Sequence, residues 1–308
     1  MAKKEKSNQW AVIIVVLIGL FFISVTFAAI LSISGETTEL IGEGNVLVIP
    51  IKGTIMTGES DSFFSSATAS SDKIVELIEK AEKDDQIDAV LFEIDSPGGS
   101  PVGSHEIVKA IKSMKKPKVS LIRGAGASGA YWAASATDYI IADELSLTGS
   151  VGVFSSYLEF SDFFQDNNIT YQRIVGGEYK DIGNPLKKLT DSERNELQRK
   201  VTLMHKFFID DVSKSRNLTR NQEAQIKTGI YFIGLESIEL GLIDSYGSEK
   251  EAKEYFENRL NKTIEFSKIS NKKGLLEMLG SFSSEHGYQM GKGLSENLLS
   301  NEAEIQLR

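Results

Sequence analysis

A serine at the start of a predicted helix is the side chain best suited to nucleophilic chemistry in this sequence. From Gly124 to Ala130 (GAGASGA) every residue is small, and Ser128 alone carries a reactive side-chain atom. Such a serine can attack a carbonyl while neighbouring N–H groups hold the oxyanion. A serine in this position is more often a helix N-cap, and the G-x-S-x-G elbow pattern is met only in part because Ala130 takes the last position. Taken alone, Ser128 is therefore interpreted as a helix cap.

The three histidines offer no convincing general base for this serine. His105 lies at the start of a predicted helix, His205 falls in a predicted long helix and His286 in the C-terminal tail. None stands in an acid–histidine–serine context. Because a serine nucleophile can also use lysine as its base, the lysines become candidates.

Lys180 differs from most other lysines, which occur in charged clusters. It lies in a loop, residues 176–185, bracketed by glycines and a proline. A lysine base must be neutral, and an ordinary lysine with a pKa of ~10.4 is neutral in only about one molecule in 2,500 at pH 7. Glu178 and Asp181 would oppose loss of the proton if they point at the amine. Taken alone, Lys180 is interpreted as an ordinary loop lysine.

Another glycine-rich turn, Asp95-Ser96-Pro97-Gly98-Gly99-Ser100, is the first of the two in the chain and follows a predicted strand. The carboxyl edge of a parallel sheet is where ligands bind, and the amides of such a turn can face an anion. The turn fits neither the dinucleotide fingerprint nor the phosphate loop, so no nucleotide is implied. A tight turn without any ligand is the simpler interpretation of a glycine pair alone.

Composition limits the possible functions. The 308 residues are 41% hydrophobic and 25% charged, which is enough for a folded core. The absence of cysteine excludes disulfides, a cysteine nucleophile and thiolate metal sites, and three histidines leave little for a zinc centre. The net charge of −9 makes nucleic acid an improbable partner. We therefore expect no metal, no cofactor and no nucleic acid.

Alternating strands and helices position the two turns. The apolar runs predict strands at 46–51, 89–94, 119–122, 139–142 and 170–175. Helices are predicted at 71–82, 105–114, 128–136, 157–165, 190–214, 220–227, 237–240 and 249–260, with a capping box at Thr190-Asp191-Ser192-Glu193. Residues 58–71 are predicted to be a linker. Strand–helix alternation with short connections predicts an α/β domain with a mostly parallel sheet.

The N-terminal region predicts a membrane anchor. Residues 10–33 contain no charged side chain, and as a helix they would extend roughly 36 Å against a hydrocarbon core of about 30 Å. The stretch is longer than a signal-peptide core and lacks a good cleavage site. The first nine residues carry +2, which places them in the cytosol and the rest outside. We expect a basic N-terminus at 1–9, an anchor at 10–33, a stalk at 34–45, a folded domain at 46–262 and a partly flexible extension at 263–308.

Four blocks in order resemble a known family. DSPGGS, GAGASGAYWAAS, SLTGSVGVF and GEYKDIGNP, behind one apolar segment, are similar to the short form of signal peptide peptidase A. The resemblance covers about residues 46–260. It implies a serine–lysine protease with the crotonase/Clp-protease type of fold, built from repeated ββα-type units. Each block is a weak signal alone, whereas all four in order are a strong one.

The resemblance also implies roles for individual residues. Ser128 would be the nucleophile, Lys180 the general base and Ser150 a hydrogen-bond partner that orients the lysine. The N–H groups of Gly98 or Gly99, together with that of Gly129, would form the oxyanion hole. The substrates would be remnant signal peptides in or near the membrane, cleaved by a homo-oligomeric ring in which Ser128 of one subunit faces Lys180 of its neighbour.

Two alternatives from other classes stay open. A crotonase-fold enzyme acting on acyl-thioesters would use the same glycine turns with acidic residues for proton transfer, and would not need Ser128. A catalytically silent scaffold would only bind peptides or a membrane partner.

Overall fold

The computed structural model describes residues 13–26, 40–41, 44–58 and 68–269. The chain divides into two units, Gly42–Lys268 and the two ends on either side of it. In the N-terminal part of the second unit, residues 13–26 form helix α1 and Leu40–Ile41 form strand β1. Among the described residues, no helix combines the length and apolarity needed to cross a bilayer. Both ends of the predicted anchor at 10–33, most of the predicted stalk and residues 270–308 of the extension lie outside the described residues.

The Gly42–Lys268 unit is built on a mostly parallel sheet. Its main strands are β2 (Val46–Lys52), β5 (Ala89–Ser96), β6 (Lys118–Ala127), β7 (Tyr139–Ala142), β10 (Ser245–Tyr246) and β11 (Phe266–Ile269). They run in the order β11-β2-β5-β6-β7-β10, and each neighbouring pair is parallel. The predicted α/β class with a mostly parallel sheet is therefore confirmed.

Two smaller strand pairs lie at the carboxyl edge of this sheet. Strand β8 (Leu147–Gly149) pairs in parallel with the end of β6, and β9 (Tyr231–Ile233) pairs with β8 in antiparallel orientation. Strands β3 (Thr54–Met56) and β4 (Thr68–Ser70) form a separate parallel pair. The extension of β6 as far as Ala127 is what carries the second glycine turn to this edge.

Eight helices accompany the strands in the described part of this unit. They are α2 (Ser71–Lys83), α3 (Pro101–Ser113), α4 (Gly129–Ser135), α5 (Ser161–Asp166), α6 (Asp191–Ser215), α7 (Arg220–Ile226), α8 (Gly234–Ser237) and α9 (Glu249–Leu260). The predicted capping box is present, because Glu193 N donates to Thr190 Oγ1 while Thr190 N donates to Glu193 Oε2.

The sheet is covered on both faces. Val46, Leu91 and Val119 pack in one cluster with Phe256 of α9. Their neighbours Leu47 and Phe92 point to the opposite face and are also fully buried. Burial on both faces explains why these strands read as continuous apolar runs rather than as alternating ones.

Several predicted elements need correction. Residues 170–175 are not a strand, because this stretch is largely exposed and pairs with no described strand. The helix predicted at 157–165 is shorter and begins at Ser161. The helical turn predicted at 237–240 lies earlier, at Gly234–Ser237. The end of the predicted linker, Thr68–Ser70, is strand β4, and residues 59–67 of that linker lie outside the described residues.

Candidate active site

Ser128 occupies a sharp turn between strand β6 and helix α4. Its backbone angles are φ 53° and ψ −124°, a conformation that side-chain-bearing residues rarely adopt. The turn is held by hydrogen bonds from Ser128 N to Gly149 O (2.8 Å) and from Trp132 N to Ser128 O (2.9 Å). Although Ser128 is the N-cap residue, its side chain makes no capping hydrogen bond. The half-buried hydroxyl is therefore presented by a strained strand-to-helix turn, as expected of a nucleophile elbow.

The first glycine turn lies directly against this serine. Gly98 has φ +92°, and a Cβ there would lie 2.9 Å from Ser128 Cβ and 2.7 Å from Gly129 N. At Gly99 a Cβ would overlap the carbonyl oxygen of Ile55. Only glycine allows this approach, so the structure brings the two glycine-rich turns of the sequence together.

Two backbone amides beside Ser128 have no acceptor among the described residues. Ile55 N donates to Gly98 O (2.9 Å) and Ser100 N donates to Ile55 O (2.8 Å). This parallel bridge turns the N–H of exposed Gly99 away from β3. The N–H of Gly129 is the first of α4 and has no intrahelical partner. By contrast, Gly98 N donates to the buried hydroxyl of Ser96 at 3.1 Å.

Helix α3 packs against the start of α4. The Ser104 hydroxyl is fully buried and has no hydrogen-bond partner among the described residues. A Cβ at Gly129 would overlap this hydroxyl oxygen, and it would lie 3.6 Å from Gly99 N. Ser104 therefore borders the two unpaired amides. Its position four residues after the N-cap of α3, Ser100, gives no signal in the sequence alone.

Ser150 comes directly after Gly149, whose carbonyl oxygen accepts the hydrogen bond from Ser128 N. It also has positive φ, 50°, and its N–H donates to Ile230 O at 3.0 Å. Its hydroxyl donates to Gly229 O at 3.3 Å. Within the described part of the chain no hydrogen bond joins Ser150 to Lys180.

Lys180 lies on an exposed segment, residues 152–190. Its amide donates to Gly177 O at 3.2 Å within a run of turns. The side chain is exposed, and its ammonium makes no hydrogen bond or ion pair with any residue that the structure describes. The structure therefore brings Ser128, Gly98, Gly99 and Gly129 together, whereas no hydrogen bond links Lys180 to Ser128 within one chain.

The residues around Lys180 form an ion-pair network. Arg173 donates to both carboxylate oxygens of Asp181, at 2.7 and 2.8 Å, and to Glu178 O at 3.2 Å. These hydrogen bonds lower the pKa of Asp181 to about 2. Lys187 lies 3.7 Å from the same carboxylate and also pairs with the carboxylate of Glu193.

The described histidines serve other contacts. His105 stacks on Trp132, with ring centroids 5.2 Å apart and an interplanar angle of 12°. Burial lowers its pKa. His205 Nε2 lies 2.9 Å from Val151 O. No hydrogen bond joins either ring to Ser128 within the described residues, and His286 lies outside them.

Comparison with known proteins assigns the family. The model of peptidase family S49 matches residues 110–263, which include the Ser128 turn and Lys180. A protein of Methanocaldococcus jannaschii named as a candidate protease is 30% identical over 93% of both chains. The chain belongs to peptidase family S49. This S49 member is a serine protease, and its resemblance to signal peptide peptidase A is confirmed at the level of the family.

Two further relatives match a shorter stretch. Protease 4 of Haemophilus influenzae is 30% identical over 70% of this chain and 35% of its own length. A candidate signal peptide peptidase SppA of Enterococcus faecium is 30% identical over 70% of this chain and 65% of its own length. The S49 chain thus spans about a third of the first of these proteins and about two thirds of the second.

Proposed function

We propose that this S49 protease uses Ser128 as nucleophile and Lys180 as general base, and that it cleaves remnant signal peptides. The observation that carries the proposal is the Ser128 turn. Ser128 has positive φ, its hydroxyl makes no capping hydrogen bond, and two amides beside it have no acceptor among the described residues. We assign Gly99 and Gly129 as the oxyanion donors. Gly98 acts mainly through its close approach, since its own amide is bound to Ser96.

The reaction is acyl transfer in two steps. Neutral Lys180 takes the proton of the Ser128 hydroxyl, whose oxygen attacks the peptide carbonyl carbon, and the amides of Gly99 and Gly129 hold the oxyanion. The Lys180 ammonium then protonates the amine as the carbon–nitrogen bond breaks, leaving an ester on Ser128. A water molecule that gives its proton to Lys180 attacks this ester. The same proton then returns to the serine oxygen, so the cycle leaves the enzyme unchanged.

The lysine is proposed to come from a neighbouring subunit. The 152–190 segment exposes large apolar side chains that a monomer would leave in water: Phe154 at 88%, Leu158 at 73%, Phe163 at 62% and Ile174 at 99%. Exposed apolar surface of this kind is typical of interfaces. Packing the segment against a second copy would bury these side chains and could carry Lys180 to the partner's serine. Repeating this head-to-tail contact closes a ring, in which Ser150 would orient the incoming lysine.

The proposed setting is the outer face of a membrane. An anchor at residues 10–33 with a cytosolic N-terminus would hold the protease domain, residues 46–262, where released signal peptides accumulate. The name of the E. faecium relative, a candidate signal peptide peptidase, supports this class of substrate.

Fluorophosphonate labelling tests the nucleophile. The full-length protein should be modified on Ser128, located by mass spectrometry, and the Ser128→Ala variant should stay unlabelled. Ser113→Ala is a matched control, since this serine is exposed at the end of α3, its hydroxyl donates to Ala110 O within the same helix, and its loss should not affect labelling. An acyl-thioester enzyme or a silent scaffold would leave Ser128 unmodified in the wild type, and that result would overturn the proposal.

A further inference from the structure

Lys180 is flanked in sequence by two groups that could hold its ammonium. The carboxylate of Asp181 is the next side chain along, and the carbonyl of Glu178 lies two residues before. Arg173 engages both: it donates to the two Asp181 oxygens at 2.7 and 2.8 Å and to Glu178 O at 3.2 Å. A bidentate guanidinium–carboxylate pair of this kind is the strongest common ion-pair geometry.

A second layer of charges holds this arrangement in place. Lys187 faces Asp181 at 3.7 Å and pairs with the carboxylate of Glu193, whose side chain is only 5% exposed. Glu193 is fixed in turn by the capping box with Thr190 at the start of α6. The Asp181 carboxylate therefore faces two cations, Arg173 and Lys187, and its own side chain is only 14% exposed.

The effect on Lys180 is that it stays unpaired. Its ammonium has no partner among the described residues, whereas nearby Lys188 pairs with Asp162 at 2.6 Å. A carboxylate free to approach a lysine favours the charged form, which cannot act as a base. A carboxylate already bound to a guanidinium is close to neutral as a unit, so its influence on the lysine is small.

We propose, on the basis of the function proposed above, that Arg173 is a positioning residue for the lysine base. By occupying the Asp181 carboxylate and the Glu178 carbonyl, it keeps both acceptors away from the Lys180 ammonium and fixes the turn that carries it. Arg173 touches no reacting atom and acts only through Lys180.

A double-mutant cycle at Arg173 and Asp181 tests this role in the full-length protein. We would measure kcat/KM for a fluorogenic peptide ester against pH and take the pH at half-maximal rate on the rising limb. Arg173→Gln removes the cation that binds both Asp181 oxygens and leaves the carboxylate only Lys187, 3.7 Å away. More of the negative charge of Asp181 then acts on Lys180, so this midpoint should rise by about half a pH unit. Asp181→Asn leaves the positive charge of Arg173 uncompensated. This charge disfavours the protonated form of Lys180, so the midpoint should fall by a similar amount. In the double variant neither charge is present, and the midpoint should return close to that of the wild type.

A matched pair on α6 controls for general loss of a surface ion pair. Arg199 donates to both oxygens of Glu196 at 2.9 and 2.8 Å, and these hydrogen bonds lower the pKa of Glu196 to about 2. Arg199→Gln should leave the midpoint unchanged. A purely structural role for Arg173 would lower the rate at every pH without moving the midpoint.

The outcomes separate this inference from the function on which it rests. If Lys180→Ala is inactive but Arg173→Gln and Asp181→Asn both keep the wild-type midpoint, the role of Arg173 is refuted and the lysine base stands. If Lys180→Ala keeps wild-type activity, the lysine base itself is refuted, and the role of Arg173 with it. Should Arg173→Gln fail to assemble, Asp181→Asn alone still gives a shift of defined sign.

Discussion

The hydroxyl of Ser104 lies against the α-carbon of Gly129, where a methyl group would overlap the hydroxyl oxygen and lie 2.8 Å from Ser104 Cβ. Helix α3 therefore sets the position of the first residue of α4. The Gly129 amide is one of the two proposed oxyanion donors. This packing contact therefore positions a proposed donor, although Ser104 itself would not touch the substrate.

The contact predicts that Gly129→Ala is severely impaired. The new methyl group must push α4 away from α3 and move the Gly129 amide, and losing one oxyanion donor typically costs about 10²–10³ in rate. Peptide-ester hydrolysis at saturating substrate measures the loss. Ser104→Gly in the same chain removes both atoms that the methyl group meets, so the double variant should recover part of the activity. A double variant no better than Gly129→Ala would refute the packing argument.

The Ser128 turn predicts a stability difference between two inactive variants. Ser128→Ala and Ser128→Gly both lack the hydroxyl, but alanine keeps a Cβ at φ 53° and ψ −124°. Glycine relieves this strain, so Ser128→Gly should be more stable by about 1 kcal/mol in denaturant unfolding. At Ser113, in the last turn of α3, the order should reverse because alanine is the better helix former. The same order at both positions would argue against strain at Ser128.

The proposed role of Lys180 as the base predicts the relative activities of variants at Lys180 and Ser150. Lys180→Ala and Lys180→Arg should both abolish hydrolysis, since arginine does not lose its proton in proteins. Ser150→Ala should be milder, because it would only weaken the orientation of the lysine. Rates on a peptide ester, with circular dichroism as a folding control, give the comparison. Substantial hydrolysis by Lys180→Arg would remove lysine from the mechanism.

The buried strands and most helices could be predicted from the sequence, and the geometry of the site only in part. Strand β5 could be predicted from its continuous apolar run, and helix α9 from the residue pattern of its own segment, because both signals are local in the sequence. The positive φ of Ser128 could not be predicted, since it depends on a hydrogen bond to Gly149 in β8, a strand stabilised by β9 more than 80 residues later. The apolar residues of 170–175 suggested a strand, yet no described strand lies beside them.

The burial of His105 predicts a pH effect on stability. Burial, assisted by Lys109, lowers the pKa of this ring in the folded state, while Asp211 opposes the shift. The folded protein therefore binds a proton less readily than the unfolded chain, and stability should fall as the pH drops below about 6.5. His105→Gln should lose less Tm than the wild type between pH 7.5 and 5.5. Equal losses of Tm in the wild type and in His105→Gln would contradict the prediction.

Mixing two inactive variants tests the shared serine–lysine site most directly. Ser128→Ala and Lys180→Ala chains would be dissociated, combined and reassembled, and mixed oligomers would be verified with two affinity tags. If Ser128 of one subunit works with Lys180 of its neighbour, some interfaces regain both groups, and the account predicts restored hydrolysis of a peptide ester. If both groups must come from one chain, no interface is complete, and zero activity in verified mixed oligomers would contradict the account.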